Sequence, residues 1–234
     1  MTIKISYESN SEIGIYLKLT NKFCIAPNSI SKKTLFKLKS ELGENFQIIK
    51  SNILDSKCQG RLIACNSKGI LLPSGTTSSE FNYIKNCVPE NIVVRYCDEN
   101  LTALGNSVVS NDFSALISPD LSKKTEEIIC DTLGVEIYRL YMGSISLIGS
   151  NCVFNNHRGF IHPDICSEEQ DHYAELLQIP LCTVTVNRGC ENVGSGIIMN
   201  DFHSFCGQKT TQAELRLIDT WLYDDERGKK IIEQ

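Results

Sequence analysis

Apolar and polar positions along this chain repeat with a period of about 45 residues, in addition to the short periods of helix and strand. Five times a glycine is followed, six or seven residues on, by an asparagine, an apolar run and a turn. The glycines are Gly14, Gly60, Gly105, Gly149 and Gly194; the asparagines are Asn21, Asn66, Asn111, Asn156 and Asn200. The apolar run ends at Pro27, Pro73, Pro119 and Pro163 in the first four units and at Cys206-Gly207 in the fifth. Self-similarity at such a period means that each unit is one supersecondary element that buries its core against its neighbours.

Each turn leads into a predicted helix. Capping boxes, Ser or Thr followed three residues later by Glu or Gln, are expected at Thr77/Glu80, Ser167/Gln170 and Thr211/Glu214. A helix near 31–42 has the weakest start signal, and another starts near Ser122 with Glu126 and Glu127 in its first turns. In the fourth unit Tyr173, Leu176 and Leu177 have amphipathic helical spacing. Strands rich in Val, Ile and aromatics follow the first four helices at 46–51, 92–97, 135–140 and 181–186. The fifth helix, 211–222, has no strand after it, only a short charged tail at 223–234, whereas the chain opens with an orphan strand at 2–7. The strand missing at the end is therefore expected from the start, closing a ring and removing exposed sheet edges. The expected architecture is α/β: one domain, 1–234, built as a closed ring of five repeated units.

Composition bounds the function. The chain has 234 residues, 41% of them hydrophobic, and a net charge of −5. It is long enough for a substantial core, and it is not a protein that coats nucleic acid by bulk charge, which needs a basic excess. The longest uncharged apolar stretches, such as 144–154, fall short of the roughly 20 residues of a membrane span. The start, MTIKISYE, lacks the apolar region of a secretory signal. Residence in the cytosol or nucleus is expected. Eleven cysteines include no pair in CxxC spacing, so most of them read as small buried hydrophobes, and all as free of disulfides and metal.

The five glycines, brought round one axis, read first as packing. The residues after them are more informative: Arg61, Asn106 and Ser150 differ at equivalent loops, which is how a symmetric scaffold builds an asymmetric binding face. Enzyme signals are weak. His157 and His162 lack a third metal ligand. A Cys206–His203 nucleophile with Asp201 would need an orienting geometry and an oxyanion site. No cofactor is called for.

The segments YESNSEIGIYLKLTN, LTALGNSVVSNDFSALISPDLSKKTEEI, GFIHPDICSEEQDHYAELLQIPL and VNRGCENVGSGIIMNDFHSFCGQKTTQAEL resemble the translation initiation factor 6 family of eukaryotes and archaea, from about residue 3 to residue 222. The resemblance implies the pentein fold, a five-bladed α/β propeller, and a non-enzymatic role as a ribosome anti-association factor. It implies binding to the intersubunit face of the large (60S) subunit, on a ribosomal protein beside the sarcin–ricin loop and locally on rRNA. It further implies a part in large-subunit biogenesis and export, release by an elongation-factor-like GTPase with the Shwachman–Diamond protein, and a monomer in the cytoplasm and nucleus or nucleolus. With the repeat geometry it places Arg61, Asn66, Asn106 and Ser150 on the ribosome-binding end. Two departures stand out: with the sequence stopping at Gln234, the C-terminal extension of many animal and fungal members is not expected, and Ala174-Glu175 occupies the place of adjacent phosphorylatable serines. The alternatives are a pentein guanidine-modifying hydrolase or transferase, which requires a Cys–His–carboxylate cluster on the axis, and an interaction scaffold unrelated to ribosomes.

Overall fold

The structure, a computed structural model, describes residues 1–143 and 147–223. After β1 (Ile3–Ile5) the chain runs five times through a one-turn helix, an inner strand, a central strand and a long helix, the first four passes ending in an outer strand. The first pass is α1 (Ile13–Tyr16), β2 (Lys18–Leu19), β3 (Phe23–Ala26), α2 (Lys32–Leu42) and β4 (Gln47–Lys50). The second is α3 (Gln59–Leu62), β5 (Ala64–Cys65), β6 (Gly69–Pro73), α4 (Ser78–Cys87) and β7 (Val93–Cys97). The third is α5 (Leu104–Ser107), β8 (Val108–Ser110), β9 (Ser114–Ile117), α6 (Lys123–Leu133) and β10 (Glu136–Arg139). The fourth is α7 (Ile148–Asn151), β11 (Cys152–Phe154), β12 (Gly159–Ile161), α8 (Ser167–Leu177) and β13 (Leu181–Thr183). The fifth is α9 (Val193–Gly196), β14 (Ile197–Met199), β15 (Ser204–Gly207) and α10 (Gln212–Tyr223). Past Tyr223 the expected charged tail lies outside the described residues.

Each pass makes a three-stranded sheet whose central strand is antiparallel to the inner strand and parallel to the outer one. The fifth outer strand is β1, which pairs parallel to β15 with Ile3 opposite Phe205 and Ile5 opposite Gly207. The predicted closure is therefore the observed one. The Thr2 N–H donates to Asp219 Oδ1 (2.6 Å) and the Thr2 and Ser204 hydroxyls bond at 2.7 Å, fastening the N-terminus to the last unit.

The central strands read as short continuous apolar runs because both their faces are covered. Each long helix buries a side chain against its sheet at the same place in the repeat, Leu38, Ile84, Ile129, Tyr173 and Ile218, in step with the glycines. Helix starts follow the predicted chemistry at Ser31, Ser122, Thr77/Glu80 and Thr211/Glu214. Ser167/Gln170 is a correction. The helix begins one residue earlier than that box requires, Cys166 takes the cap position without a side-chain bond, and Gln170 instead donates to the Leu181 carbonyl (2.9 Å).

The five one-turn helices touch in a closed circle, α1 to α3, α5, α7, α9 and back to α1. At this circle the glycines have no room for a side chain. A Cβ on Gly60 would lie 2.0 Å from the Gly14 carbonyl oxygen, and one on Gly14 would lie 2.2 Å from that of Gly194. Gly60→Ala should therefore cost about 3 kcal/mol or more, since only backbone movement relieves the overlap. For a chain of this size that is a drop of roughly 6–12 °C in melting temperature. An unchanged melting curve would show that the circle is not tight.

Glu214 ties the connection between β13 and α9 to the start of α10. Its carboxylate accepts the N–H groups of Thr211 (2.7 Å), Gly189 (2.8 Å) and Arg188 (3.3 Å). Burial works to raise its pKa, but these hydrogen bonds outweigh it and hold the group at about 2, below its ordinary 4.5. The folded-state pKa is depressed, so this stabilisation is complete above about pH 4.5 and is lost as pH falls toward 2. Acid titration of Glu214→Gln should show its stability deficit relative to wild type shrinking across that window. A deficit independent of pH would remove the ionised carboxylate from the account.

Candidate functional site

The channel along the ring axis is lined from the same repeated positions. One residue after each glycine come Ile15, Arg61, Asn106, Ser150 and Ser195. Arg61 was expected on an open binding face; instead it is only 8% exposed and lies across the ring. Its guanidinium donates to the Gly149 carbonyl (2.8 Å) and to Ser195 Oγ, two groups from the opposite units. The narrow circle leaves a long side chain at this position nowhere else to go. Burial lowers its pKa to about 10, with Glu12 pulling the other way, so it stays charged at neutral pH. Asn106 and Ser150 are half-buried neighbours, the Ser150 hydroxyl donating to Asn106 Oδ1 (3.3 Å).

At the other end of the inner strands lies a ladder of side-chain amides. The Asn66 amide donates to the Asn111 carbonyl (2.9 Å), Asn111 to Asn155 (3.0 Å), Asn155 to Asn200 (2.9 Å) and Asn200 to Thr20 (3.0 Å). Each ladder asparagine also turns its Oδ1 back onto its own loop, as Asn111 does for Phe113 N (2.8 Å) and Ser114 N (2.7 Å). The ladder members sit six residues after each glycine, so in units one and four they are Thr20 and Asn155, not Asn21 and Asn156. Asn66 is buried within this ladder and stands at the opposite end from Arg61, Asn106 and Ser150. The four residues expected on one face are therefore split three to one.

Asn21 and Asn156 form a second polar circle one position further out, with Ser67, Asp112 and Asp201. The Asn156 amide donates to both Asp112 Oδ2 (3.0 Å) and Asp201 Oδ2 (2.7 Å), and the Asn21 amide does the same at 3.2 and 2.6 Å. Burial would raise the Asp112 pKa, but the bonds from Asn156, Ser67 and Asn21 bring it down. Outside this circle stand Lys22, Lys68, Phe113, His157 and Phe202, all exposed, with Phe113 and Phe202 at 67% and 68%. Counting eight residues from each glycine would have located this rim.

His157 and His162 do not converge. His157 faces Asp201 (4.0 Å), whereas buried His162 meets Asp164 and Glu191. His162 Nδ1 accepts from the Asp164 N–H (3.2 Å), which in neutral imidazole leaves the hydrogen on Nε2, 3.7 Å from Glu191. His162 thus has two carboxylates close by, Asp164 and Glu191, where the sequence offered it no third ligand. Cys206 lies on the central strand β15, packed in the core, its thiol pushed up to about 11 chiefly by burial. The cysteines that line the axial cavity are Cys65 and Cys152, and no histidine lines it among the described residues. All eleven cysteines are free thiols.

The sequence of the whole ring, and not one site, decides the relationship. The eIF-6 family profile matches residues 2–221. The chain belongs to the eIF-6 family. It is 40% identical over 219 residues to eukaryotic translation initiation factor 6 of Tetrahymena thermophila, covering 94% of this chain and 89% of that one. It is 42% identical to the factor of Guillardia theta, covering 94% and 96%, and 41% identical to factor 6-2 of Arabidopsis thaliana, covering 94% and 90%. Among solved structures, a dimethylarginine dimethylaminohydrolase is similar at 12% identity and a TM-score of 0.49, over 74% of this chain and 69% of that one.

Within this eIF-6 ring the ladder is structural. Asn111→Ala removes the amide bonded to Asn155 and the acceptor for two loop N–H groups, so it should cost at least about 2 kcal/mol. Chemical denaturation of the variant checks this, and a cost below about 0.5 kcal/mol would make the ladder incidental.

Proposed function

We propose that this protein is a ribosome anti-association factor. It binds the intersubunit face of the large subunit, through a ribosomal protein beside the sarcin–ricin loop and locally through rRNA, and keeps the small subunit away. It accompanies the large subunit through maturation and export, works in the cytoplasm and the nucleus or nucleolus as a monomer, and is released by an elongation-factor-like GTPase with the Shwachman–Diamond protein. The observation that carries this reading is the match to the eIF-6 family over nearly the whole ring.

Physical features support it. A blocker needs a rigid surface and bulk rather than reaction chemistry, and a standard interface of about 1,600 Å² suffices. The net charge of −5 favours association with a basic ribosomal protein. The axis, where an enzyme of this architecture needs Cys, His and carboxylate together, is filled instead by Arg61 and by thiols that burial keeps protonated. The docking end in this reading is the one carrying Asn106 and Ser150. Its rim includes two-residue turns held at positive φ, Glu8-Ser9, Leu54-Asp55 and Asn187-Arg188, and backbone strain of this kind collects at functional surfaces. Leu147, half-exposed beside α7, adds apolar area at that end.

Sucrose-gradient sedimentation with purified subunits tests the proposal. The protein should travel with free large subunits and not with joined ribosomes; failure to bind large subunits would overturn it. Asn106→Ser should weaken that binding about fivefold to a hundredfold, the cost of one lost amide hydrogen bond. Its melting curve should stay within about 0.5 kcal/mol of wild type. Normal binding, or an unfolded variant, would remove Asn106 from the contact surface.

A further inference from the structure

The inner strands carry one residue that the symmetry of the ring does not explain. Four residues after each glycine the channel wall is Ala64, Val109, Val153 and Ile198, but in the first unit it is Lys18. Lys18 and Arg61 line the same cavity of about 50 Å³, between the glycine circle and the asparagine ladder. Its walls are otherwise apolar side chains, backbone, thiols and the Ser110 hydroxyl, and no Asp or Glu lines it among the described residues. Asp112 and Asp201 lie nearer the mouth, where their oxygens are taken by Asn21, Asn156 and backbone N–H groups.

Two cations facing one small cavity present a charge problem. Burying a charge without a partner costs several kcal/mol, and the attraction of a counter-ion in a low dielectric offsets that cost. Arg61 engages a carbonyl and a hydroxyl, which satisfy hydrogen bonds but not charge. Glu12 offers Arg61 partial compensation from outside the cavity. The neighbouring thiols do not supply the missing charge, because burial pushes Cys24 and Cys65 up to about 12. Lys18 has no side-chain hydrogen-bond partner among the described residues, and burial together with Arg61 pushes its own pKa down.

We infer that the axial cavity is a binding site for a small monovalent anion of the halide class, held between the Lys18 ammonium and the Arg61 guanidinium. A cavity of about 50 Å³ has room for a chloride or bromide ion. The site is internal, so the ion acts on the ring from within, joining the inner strand of the first unit to Arg61 of the second. This role is separate from large-subunit binding and holds whether or not that reading stands.

Bromide provides the probe. Crystals of the full chain grown in sodium bromide should show one anomalous peak on the axis, in contact with Lys18 Nζ and Arg61. In parallel, melting is followed at constant ionic strength while sodium gluconate is replaced by sodium chloride. The wild-type protein should gain several degrees with saturation, and Lys18→Met should melt independently of the chloride fraction. Absence of the axial peak overturns the proposal, with Lys18 then carried as the neutral amine. A chloride response in Lys18→Met equal to that of wild type also overturns it. If Lys18→Met does not fold, Lys18→Gln takes its place in the melting series, and the bromide diffraction of wild type decides on its own.

Discussion

The rest of the structure depends on how closely five backbones approach one axis. At the glycine circle each Cα packs against the carbonyl of the preceding unit, so near that no side chain fits between them. This contact sets the radius of the ring, and the radius sets what the channel can hold. It explains why Arg61 lies across the circle and why the next layer is lined by residues such as Ala64 and Val109. It also makes closure cooperative: five contacts in a circle are geometrically coupled, and β1 completing the last sheet holds both chain ends in one blade. Backbone packing without side chains gives no sequence identity to any one contact, which leaves the neighbouring positions free to diverge.

That freedom is used differently at the two ends. At the ladder end a repeated side chain does a repeated job, with asparagine bridging to the next unit and bracing its own loop in four units of five. In the first unit Thr20 braces its loop with a hydroxyl, which accepts from the Lys22 and Phe23 N–H groups. At the other end the residues after the glycines are all put to separate uses. Arg61 reaches across the circle, Ser195 receives it, and Asn106 and Ser150 bond each other. Symmetry in the backbone therefore coexists with asymmetry in the side chains.

The fold was legible in the sequence because a repeat is a one-dimensional signal: spacing alone gave the number of units, and the unmatched first strand gave the closure. The site was less legible, for reasons that particular residues make plain. Thr20-Asn21 and Asn155-Asn156 each offer two adjacent polar residues, and choosing the asparagine in one and the second asparagine in the other shifts the phase by a residue. A count from the glycines would have corrected it. Arg61 looked like a surface residue because arginines mostly are, and only the radius of the circle turns it inward. The Ser167 box failed because a helix that starts one residue earlier makes Ser167 its first turn rather than its cap.

Rigidity is what this geometry supplies, and the blocking role proposed above calls for it, since a blocker must resist deformation when a second large body presses against its partner. A ring closed by tight backbone contacts at one end and by a hydrogen-bonded ladder at the other is braced at two levels along one axis. Between those two levels stand the buried guanidinium of Arg61, thiols that burial keeps protonated, and Lys18. Outside the two braced levels the equivalent positions of the five units carry different side chains, Asn106 and Ser150 beside the glycine circle and exposed Phe113 and Phe202 beyond the ladder.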